Sequence, residues 1–591
     1  MNKQKADVLL SLLEEPFTTQ RALSERCGHS LGVVNQSVKR LVADGYLTDD
    51  MTPTEKAREA CEPSSPENAV ILAAGFGMRM APINGTGPKA LLEVRGEPLI
   101  ERLIRQLHEA GVHDITVVVG YMKEGFDYLV DEYGVRLAFN PDYAGKNNLT
   151  SLALVASRIS NTYVLPCDIW CAESPFSPRE LYSWYMVSDA ADAESGVRVN
   201  RRGELVRTGG EKAAGNHMVG ISYLTGDVAT AVRDLLPTLA ADPRHDDDFW
   251  EEALWNRDRM GTLAKVVRDG AVAEIDTFEQ LRDLDENSGQ LRSDALDTIA
   301  GVFGITPADV TGIEVLKKGM TNRSFLFTAK GDRYIMRIPG EGTDQLIDRS
   351  CEAAVYAAIS GRGLCDDPVY MNPKTGYKIT RFLEGVRTCD PTDETDLERC
   401  MRLLRSFHEM GLEVPHEFDI FGQIDFYEGL WEGRPSAFRD YAATKEGVLS
   451  LRPYIDAQPK ARCLTHIDAV PDNFLFHAGA AGGGAAGGEA LQLTDWEYAG
   501  MQDPHVDIAM FCIYSLYDKP QVDHLIDVYF QGSCDRATRT KIYCYVAACG
   551  LLWSNWCEYK RGLGVEFGEY SLRQYRYAKD FCRLAREEMV A

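Results

Sequence analysis

The sequence predicts an α/β multidomain chain of three successive units: a small helical unit, a doubly wound sheet domain, and a small sheet lobe followed by a larger helical lobe. Three observations carry this expectation. The 591 residues are too many for one hydrophobic core. The apolar pattern changes character twice, from helical spacing before residue 60 to buried strands alternating with helices, and then to closely spaced strands followed by helices alone. Cys61-Glu62-Pro63-Ser64-Ser65-Pro66 is a linker by composition and marks the first change. The units are expected over residues 1–62, 67–290 and 293–591.

Bulk properties narrow the class. Hydrophobic residues make up 45% and charged residues 26%, the balance of an ordinary globular protein. No apolar run reaches the length of a membrane helix, so no membrane insertion is expected. Met1-Asn2-Lys3-Gln4-Lys5 leads into a helical pattern without a signal-peptide core, which points to a cytoplasmic location. The 15 cysteines are scattered and none forms a CxxC pair, so zinc and a disulfide framework are poorly supported. A net charge of −26 argues against a general nucleic-acid or anionic-membrane coat and is compatible with a cationic substrate.

In the first unit, helices are expected over Ala6–Glu14, Thr18–Cys27 and Ser30–Ala43, with a tight turn at Gly28-His29-Ser30. Gly45-Tyr46-Leu47 and Met51-Thr52-Pro53 would form a wing. This pattern resembles a winged helix-turn-helix, which implies that residues 1–62 could meet DNA. Asn35, Gln36, Lys39 and Arg40 are the candidates to face a groove. Residues 1–58 hold eight Lys/Arg and eight Asp/Glu, without the basic excess of a DNA reader, and a docking role stays open.

The second unit opens with the apolar strand Ala69–Leu72, which runs into Leu72-Ala73-Ala74-Gly75-Phe76-Gly77-Met78-Arg79-Met80. Glycines at 75 and 77 let backbone N–H groups approach a triphosphate at a strand-to-helix turn. Arg79, with Lys89 of Pro88-Lys89, supplies the positive charge needed at a phosphoryl centre. Leu99–Ala110 is an amphipathic helix, and Ile115–Val119 and Tyr163–Pro166 are further buried strands. Their alternation implies a doubly wound sheet with its site at the strands' carboxyl ends. Asp168, at the end of the third strand, is placed to hold Mg²⁺. A second acid is sought among Asp247, Asp248 and Glu251. The unit closes near residue 290 with Glu274-Ile275-Asp276-Thr277 and a helix.

These residues, with Lys146-Asn147-Asn148-Leu149-Thr150-Ser151-Leu152, resemble the bacterial lic-type CTP:phosphocholine cytidylyltransferases, within the sugar-nucleotide pyrophosphorylase superfamily. The resemblance covers residues 68–290 and implies a Rossmann-like fold with a doubly wound mixed sheet. It implies that Leu72, Ala73, Ala74, Gly75, Gly77, Asn147 and Asn148 line the CTP site, with Arg79 and Lys89 on the phosphates. It makes Asp168 one metal ligand and the acid beside Phe249-Trp250, by position Glu251, the other. Trp170, Phe249 and Trp250 are candidates for a box around a quaternary ammonium.

The third unit starts near Ser293. Strands are expected at Gly312–Val315, Ser324–Thr328 and Tyr334–Ile338, and helices dominate from Glu394. In His466-Ile467-Asp468-Ala469-Val470-Pro471-Asp472-Asn473, Asp468 and Asn473 have the D-x-x-x-x-N spacing of a kinase catalytic loop. Asp468 is placed to accept a substrate hydroxyl proton, and Asn473 to reach a metal. Asp495, after the strand Leu491–Thr494, takes the place of the second metal ligand. Gly319-Met320-Thr321-Asn322 is a short glycine loop, so Thr321 and Asn322 are nucleotide candidates. Arg337 stands where a protein kinase has lysine, with Glu352 on the next helix to pair with it. The run 477–488 reads as a flexible surface hairpin. The set resembles the choline kinases and aminoglycoside phosphotransferases over residues 312–581, a bilobal protein-kinase-like α+β fold. Trp553 and Trp556, one helical turn apart, then become candidates to stack on a trimethylammonium, with Tyr570 and Tyr575 behind them.

Together the two resemblances imply a bifunctional transferase. ATP and choline would give phosphocholine; CTP and phosphocholine would give CDP-choline and pyrophosphate, with Mg²⁺ in both steps, for cell-surface phosphocholine decoration. The alternatives are the same reactions on ethanolamine or an aminophosphonate, or a choline-sensing DNA-binding regulator.

Overall fold

The structure is a computed structural model that describes residues 1–75, 80, 82, 87–208, 214–316, 322–340, 347–478, 489–562 and 567–590. The chain folds into two compact units, Met1–Asp297 and Thr298–Ala591.

The first unit begins with helices Lys3–Glu14, Gln20–Cys27 and Leu31–Ala43. Asn2 and Thr19 cap the first two, accepting from the backbone N–H of Lys5 and Ala22. Gly28, at φ 67°, ends the second in the left-handed conformation that favours glycine. Val8, Leu9, Leu12, Leu23, Val34, Val38 and Leu41 form the core between them. A bridge between Leu47 and Pro53 makes the wing. This subdomain is docked on the sheet domain. The Tyr182 hydroxyl donates to Asp7, Ser177 Oγ donates to Glu14 at 2.9 Å, and Leu181 packs against the helical core.

Among the described residues, a mixed ten-stranded sheet is the framework of the rest of this unit. Asn68–Ala73 lies third from one edge, parallel to Asp114–Val119 on one side and Thr162–Pro166 on the other. Every residue of that strand is buried, because both sheet faces are covered. Gly215–Leu224 joins antiparallel to Thr162–Pro166 and to Trp184–Asp192, which makes the sheet mixed. A separate antiparallel pair, Ile169–Cys171 with Val272–Glu274, sits where the third parallel strand ends.

In the second unit a five-stranded antiparallel sheet comes first, with Arg337 opposite Lys378 on neighbouring strands. Helix Arg349–Ile359 follows, capped by the Asp348 side chain. The helical lobe is organised around Arg536–Gly562, buried along most of its length. Phe474–Ala478 and Glu489–Leu493 pair antiparallel; residues 479–488 of the expected hairpin lie outside the described residues.

Gly550 is the contact point between that long helix and Glu569–Val590. A Cβ there would lie 2.7 Å from Tyr577 Cβ and 2.8 Å from the Gln574 carbonyl. Gly550→Ala is therefore expected to cost about 1–3 kcal/mol by overpacking, read as a lower urea midpoint for the second unit.

Candidate active sites

The first site gathers at the carboxyl ends of the parallel strands. Lys89, in a short 3-10 turn after Pro88, donates to Asp168 Oδ2 and to Asp276 Oδ1, both at 2.6 Å. Local topology explains the grouping. Asp168 precedes the strand Ile169–Cys171, whose partner Val272–Glu274 places Glu274 opposite Ile169. The Ile275 N–H then donates to the Asp168 carbonyl at 2.9 Å, which leaves Asp168 flanked by Glu274 and Asp276. One oxygen from each of the three carboxylates lies within 4.8 Å of the others.

The electrostatics are those of a crowded acidic cluster. Burial, then the neighbouring Asp276 and Asp168, push Glu274 up to about 7. Burial pulls Lys89 down, but Asp168 and Asp276 outweigh it and hold the ammonium above its ordinary value. Asp168 Oδ1 is buried without a hydrogen-bond partner among the described residues. An all-oxygen donor set with an unsatisfied buried oxygen fits a hard divalent cation held by Asp168, Asp276 and Glu274. A bound ion there supplies Lewis-acid polarisation of a phosphoryl oxygen. Lys89 supplies a fixed positive charge at the same place.

Two expectations are corrected here. The acids around Asp168 come from Glu274-Ile275-Asp276, not from the run ending at Glu251. Glu251 is buried, accepts from the Tyr185 hydroxyl at 2.8 Å, and is raised to about 7 by burial. Nor do Trp170, Phe249 and Trp250 form a box; no two of these rings pair. The Arg95 and Arg102 guanidiniums cover Trp170, at 4.5 and 5.0 Å from its centroid. Trp250 is 1% exposed and tilts against Tyr185, whereas Phe249 is 59% exposed.

Asn147 and Asn148 serve the neighbouring loop. Asn147 caps the helix Asn148–Leu154 and donates to the Asp247 carbonyl at 2.9 Å; Asn148 Oδ1 accepts from Trp250 N–H at 2.8 Å. Leu72, Ala73 and Ala74 are buried at the end of the strand Asn68–Ala73, and Gly75 is exposed beyond them. Gly77 and Arg79 lie outside the described residues.

The second site is built on two strained positions. Ile467 and Asp495 adopt φ of 71° and 64°, in the left-handed region. Buried Asp507 accepts from the backbone N–H of His466 at 2.9 Å and of Ile467 at 2.7 Å, fixing the first turn. His466 Nε2 meets the Thr494 carbonyl at 2.9 Å, tying it to the second. Asn473 Nδ2 donates to the Asp468 carbonyl at 2.8 Å and to its Oδ2 at 3.2 Å. The Thr494 N–H donates to the Asn473 carbonyl at 2.9 Å, which brings the backbone before Asp495 against Asn473, and an amide oxygen and a carboxylate are donor types that a divalent cation takes. Burial, then Asp495 and Glu497, push Asp468 up to about 8, so its ionised form is a stronger base than an ordinary carboxylate.

Arg337 and Glu352 form the expected pair, bidentate at 2.6 Å for both bonds. Lys378 was not singled out in the sequence; it approaches Glu352 at 3.2 Å and donates to the Tyr356 hydroxyl at 2.9 Å. Burial raises the Glu352 carboxyl, but Lys378, Arg337 and Arg349 outweigh it and bring it to about 2. Asn322 donates to Glu497, and Thr321 lies outside the described residues.

The Asp468 charge acts on Tyr427, Tyr498, Tyr514 and Tyr570, all held above their ordinary value chiefly by burial. Trp553 meets Tyr498 edge-on at 5.8 Å, and Trp556 meets Trp553 at 5.4 Å. Lys560 Nζ already stands 5.6 Å from the Trp556 centroid. Tyr575 instead stacks on Phe438 at 3.7 Å and donates to Asp440. A cavity of about 560 Å³ is lined by Arg349, Phe426, Tyr427, Glu497 and Tyr498.

Comparison with known proteins matches three families in chain order. Residues 1–48 match a winged helix-turn-helix DNA-binding family, residues 69–275 the MobA-like NTP transferase domain, and residues 312–543 the phosphotransferase enzyme family. A choline-phosphate cytidylyltransferase of Streptococcus pneumoniae is 32% identical over 232 residues, 37% of this chain and 96% of that protein. The chain belongs to this cytidylyltransferase family. A 2-aminoethylphosphonate cytidylyltransferase of Lancefieldella rimae is 33% identical over 226 residues, 37% of this chain and 92% of that protein. The solved choline kinase LicA from Streptococcus pneumoniae is 27% identical, with a TM-score of 0.42, covering 49% of this chain and 97% of that one. A cytidylyltransferase-family domain is thus followed on one chain by a phosphotransferase-family domain and preceded by a winged helix.

The winged helix leaves Gln36, Lys39 and Arg40 exposed and Asn35 half-buried on the helix Leu31–Ala43. The wing carries Asp49 and Asp50 between its paired residues, a charge that repels phosphate. No described helix is long and apolar enough to cross a membrane.

Proposed function

We propose that this chain phosphorylates choline with ATP and transfers CMP from CTP to the phosphocholine formed, giving CDP-choline and pyrophosphate. The observation that carries this reading is the pairing on one chain of the Asp468 site with a domain 32% identical to a choline-phosphate cytidylyltransferase. The product of the first chemistry is the substrate of the second.

In the phosphotransfer half, Asp468 takes the hydroxyl proton as the oxygen attacks the γ-phosphorus of ATP, the bond to the β,γ-bridging oxygen breaks and ADP leaves. Arg337, oriented by Glu352, holds phosphate charge. Tyr427, Tyr498 and Trp553 offer aromatic faces, and Glu497 a carboxylate, to a cationic head. In the transfer half, a phosphate oxygen of phosphocholine attacks the α-phosphorus of CTP and pyrophosphate leaves. Lys89 neutralises charge at that centre. Mg²⁺ is the proposed ion for both carboxylate sites. CDP-choline would then supply phosphocholine for cell-surface decoration.

A second reading changes the head group: ethanolamine would keep both chemistries, whereas an aminophosphonate, with phosphorus already on carbon, would engage the transfer half alone. The 33% identity to a 2-aminoethylphosphonate cytidylyltransferase favours it, as does Trp170, whose ring is covered by guanidiniums. The test is pyrophosphate release with CTP and phosphocholine, phosphoethanolamine or 2-aminoethylphosphonate, compared as kcat/KM. A preference for phosphocholine of tenfold or more, about 1.4 kcal/mol, supports choline. A preference for the aminophosphonate replaces it with the second reading.

A further inference from the structure

We infer that Arg349 is a positioning residue for phosphoryl transfer, locking the strand Asn322–Ala329 and the segment after Asp495 to the helix that carries Glu352. This rests on the phosphotransferase reading and adds a residue that acts through Asn322 and Glu497.

Arg349 is the first residue of the helix Arg349–Ile359 and is buried, at 7% exposure. Its guanidinium reaches three elements. Nη2 donates to Asn322 Oδ1 at 3.0 Å, and Nη1 lies 3.2 Å from Glu497 Oε2 and 3.4 Å from Glu352 Oε2. Asn322 Nδ2 donates in turn to Glu497 Oε2 at 2.8 Å, closing a triangle. Each corner abuts working parts. Asn322 follows the glycine loop, Glu497 is two residues from Asp495, and Glu352 is bidentate with Arg337.

The charge pattern explains why one cation is not enough. Arg337, Arg349 and Lys378 interleave with Glu352 and Glu497, and Arg337 Nη1 is 3.7 Å from Glu497. Arg349 stands closer to Glu497 than Arg337 does, at 3.2 against 3.7 Å, and a buried carboxylate that loses a near cation relaxes toward water. Lysine cannot substitute fully, because a single ammonium cannot span acceptors on three elements as a planar fork does. A misplacement of about 1 Å at Asn322 or Asp495 is enough to cost on the order of 10²-fold in rate.

The test uses the full chain with ATP, Mg²⁺ and choline. For Arg349→Gln, kcat for ADP release is expected to fall about tenfold to a hundredfold, with the KM for ATP within about twofold of wild type. Arg349→Lys should lie between the two. Arg349→Gln combined with Asn322→Ala should be no worse than the poorer single variant, because both break one triangle. An unchanged kcat per folded molecule, or a loss confined to the KM for ATP, overturns the inference; the second result would make Arg349 a nucleotide ligand. A wild-type chain that phosphorylates no amino-alcohol defeats the kinase reading instead, and amide hydrogen exchange then decides. Faster exchange in Arg349→Gln at residues 323–327 and 498–501, with the helix Arg536–Gly562 unchanged, supports the positioning role. Unchanged exchange in those two segments overturns it.

Discussion

Asp468→Asn is expected to abolish ADP release while pyrophosphate release from CTP and supplied phosphocholine continues at the wild-type rate. The loss should be about 10²–10⁴-fold, the usual contribution of a positioned general base. Asparagine is nearly isosteric and cannot accept the hydroxyl proton. It also removes a buried carboxylate crowded by Asp495 and Glu497, so the melting temperature should not fall. Both activities are read on one preparation, and an unchanged melting transition of the second unit excludes its misfolding as the cause. Loss of pyrophosphate release in a folded variant would show that the two centres are not independent.

Lys89→Met is expected to do the reverse. Pyrophosphate release should drop about 10²–10³-fold, the scale of removing one preorganised electrostatic partner, while ADP release persists. A stability effect accompanies it. Lys89 is the cation between Asp168 and Asp276, so its removal leaves three close carboxylates without it. The variant should melt lower in metal-free buffer and regain stability as a divalent ion is added, since an ion can replace the lost charge. Equal melting with and without metal would remove the carboxylate cluster as an ion site.

Much of this was legible before the structure because it rests on local pattern. The buried strand Asn68–Ala73, the turn at Gly28 and the D-x-x-x-x-N loop are each set by residues close in sequence. The Arg337–Glu352 pair also followed from strand-then-helix order. What was missed depends on pairing between distant segments. Glu274 and Asp276 reach Asp168 only through the antiparallel pairing of Val272–Glu274 with Ile169–Cys171, which no local period reveals. An acid-x-acid after a short strand was the available signal. Lys378 stands next to Arg337 by strand register, and Arg349 acts through a triangle of side chains 27 and 148 residues away. Trp170 and Phe249 were misread because aromatic residues alone do not tell whether a ring is buried, exposed or already capped by guanidinium. The docking of the winged helix through Asp7 and Glu14 likewise turns on tertiary hydrogen bonds.

The central claim is that one chain carries two consecutive reactions. Phosphorus NMR of the purified full-length protein with choline, ATP, CTP and Mg²⁺ tests it most directly. Phosphocholine should appear first and CDP-choline after it, with ADP and pyrophosphate accumulating in step. ATP and CTP that stay intact with choline, ethanolamine and 2-aminoethylphosphonate alike would contradict it.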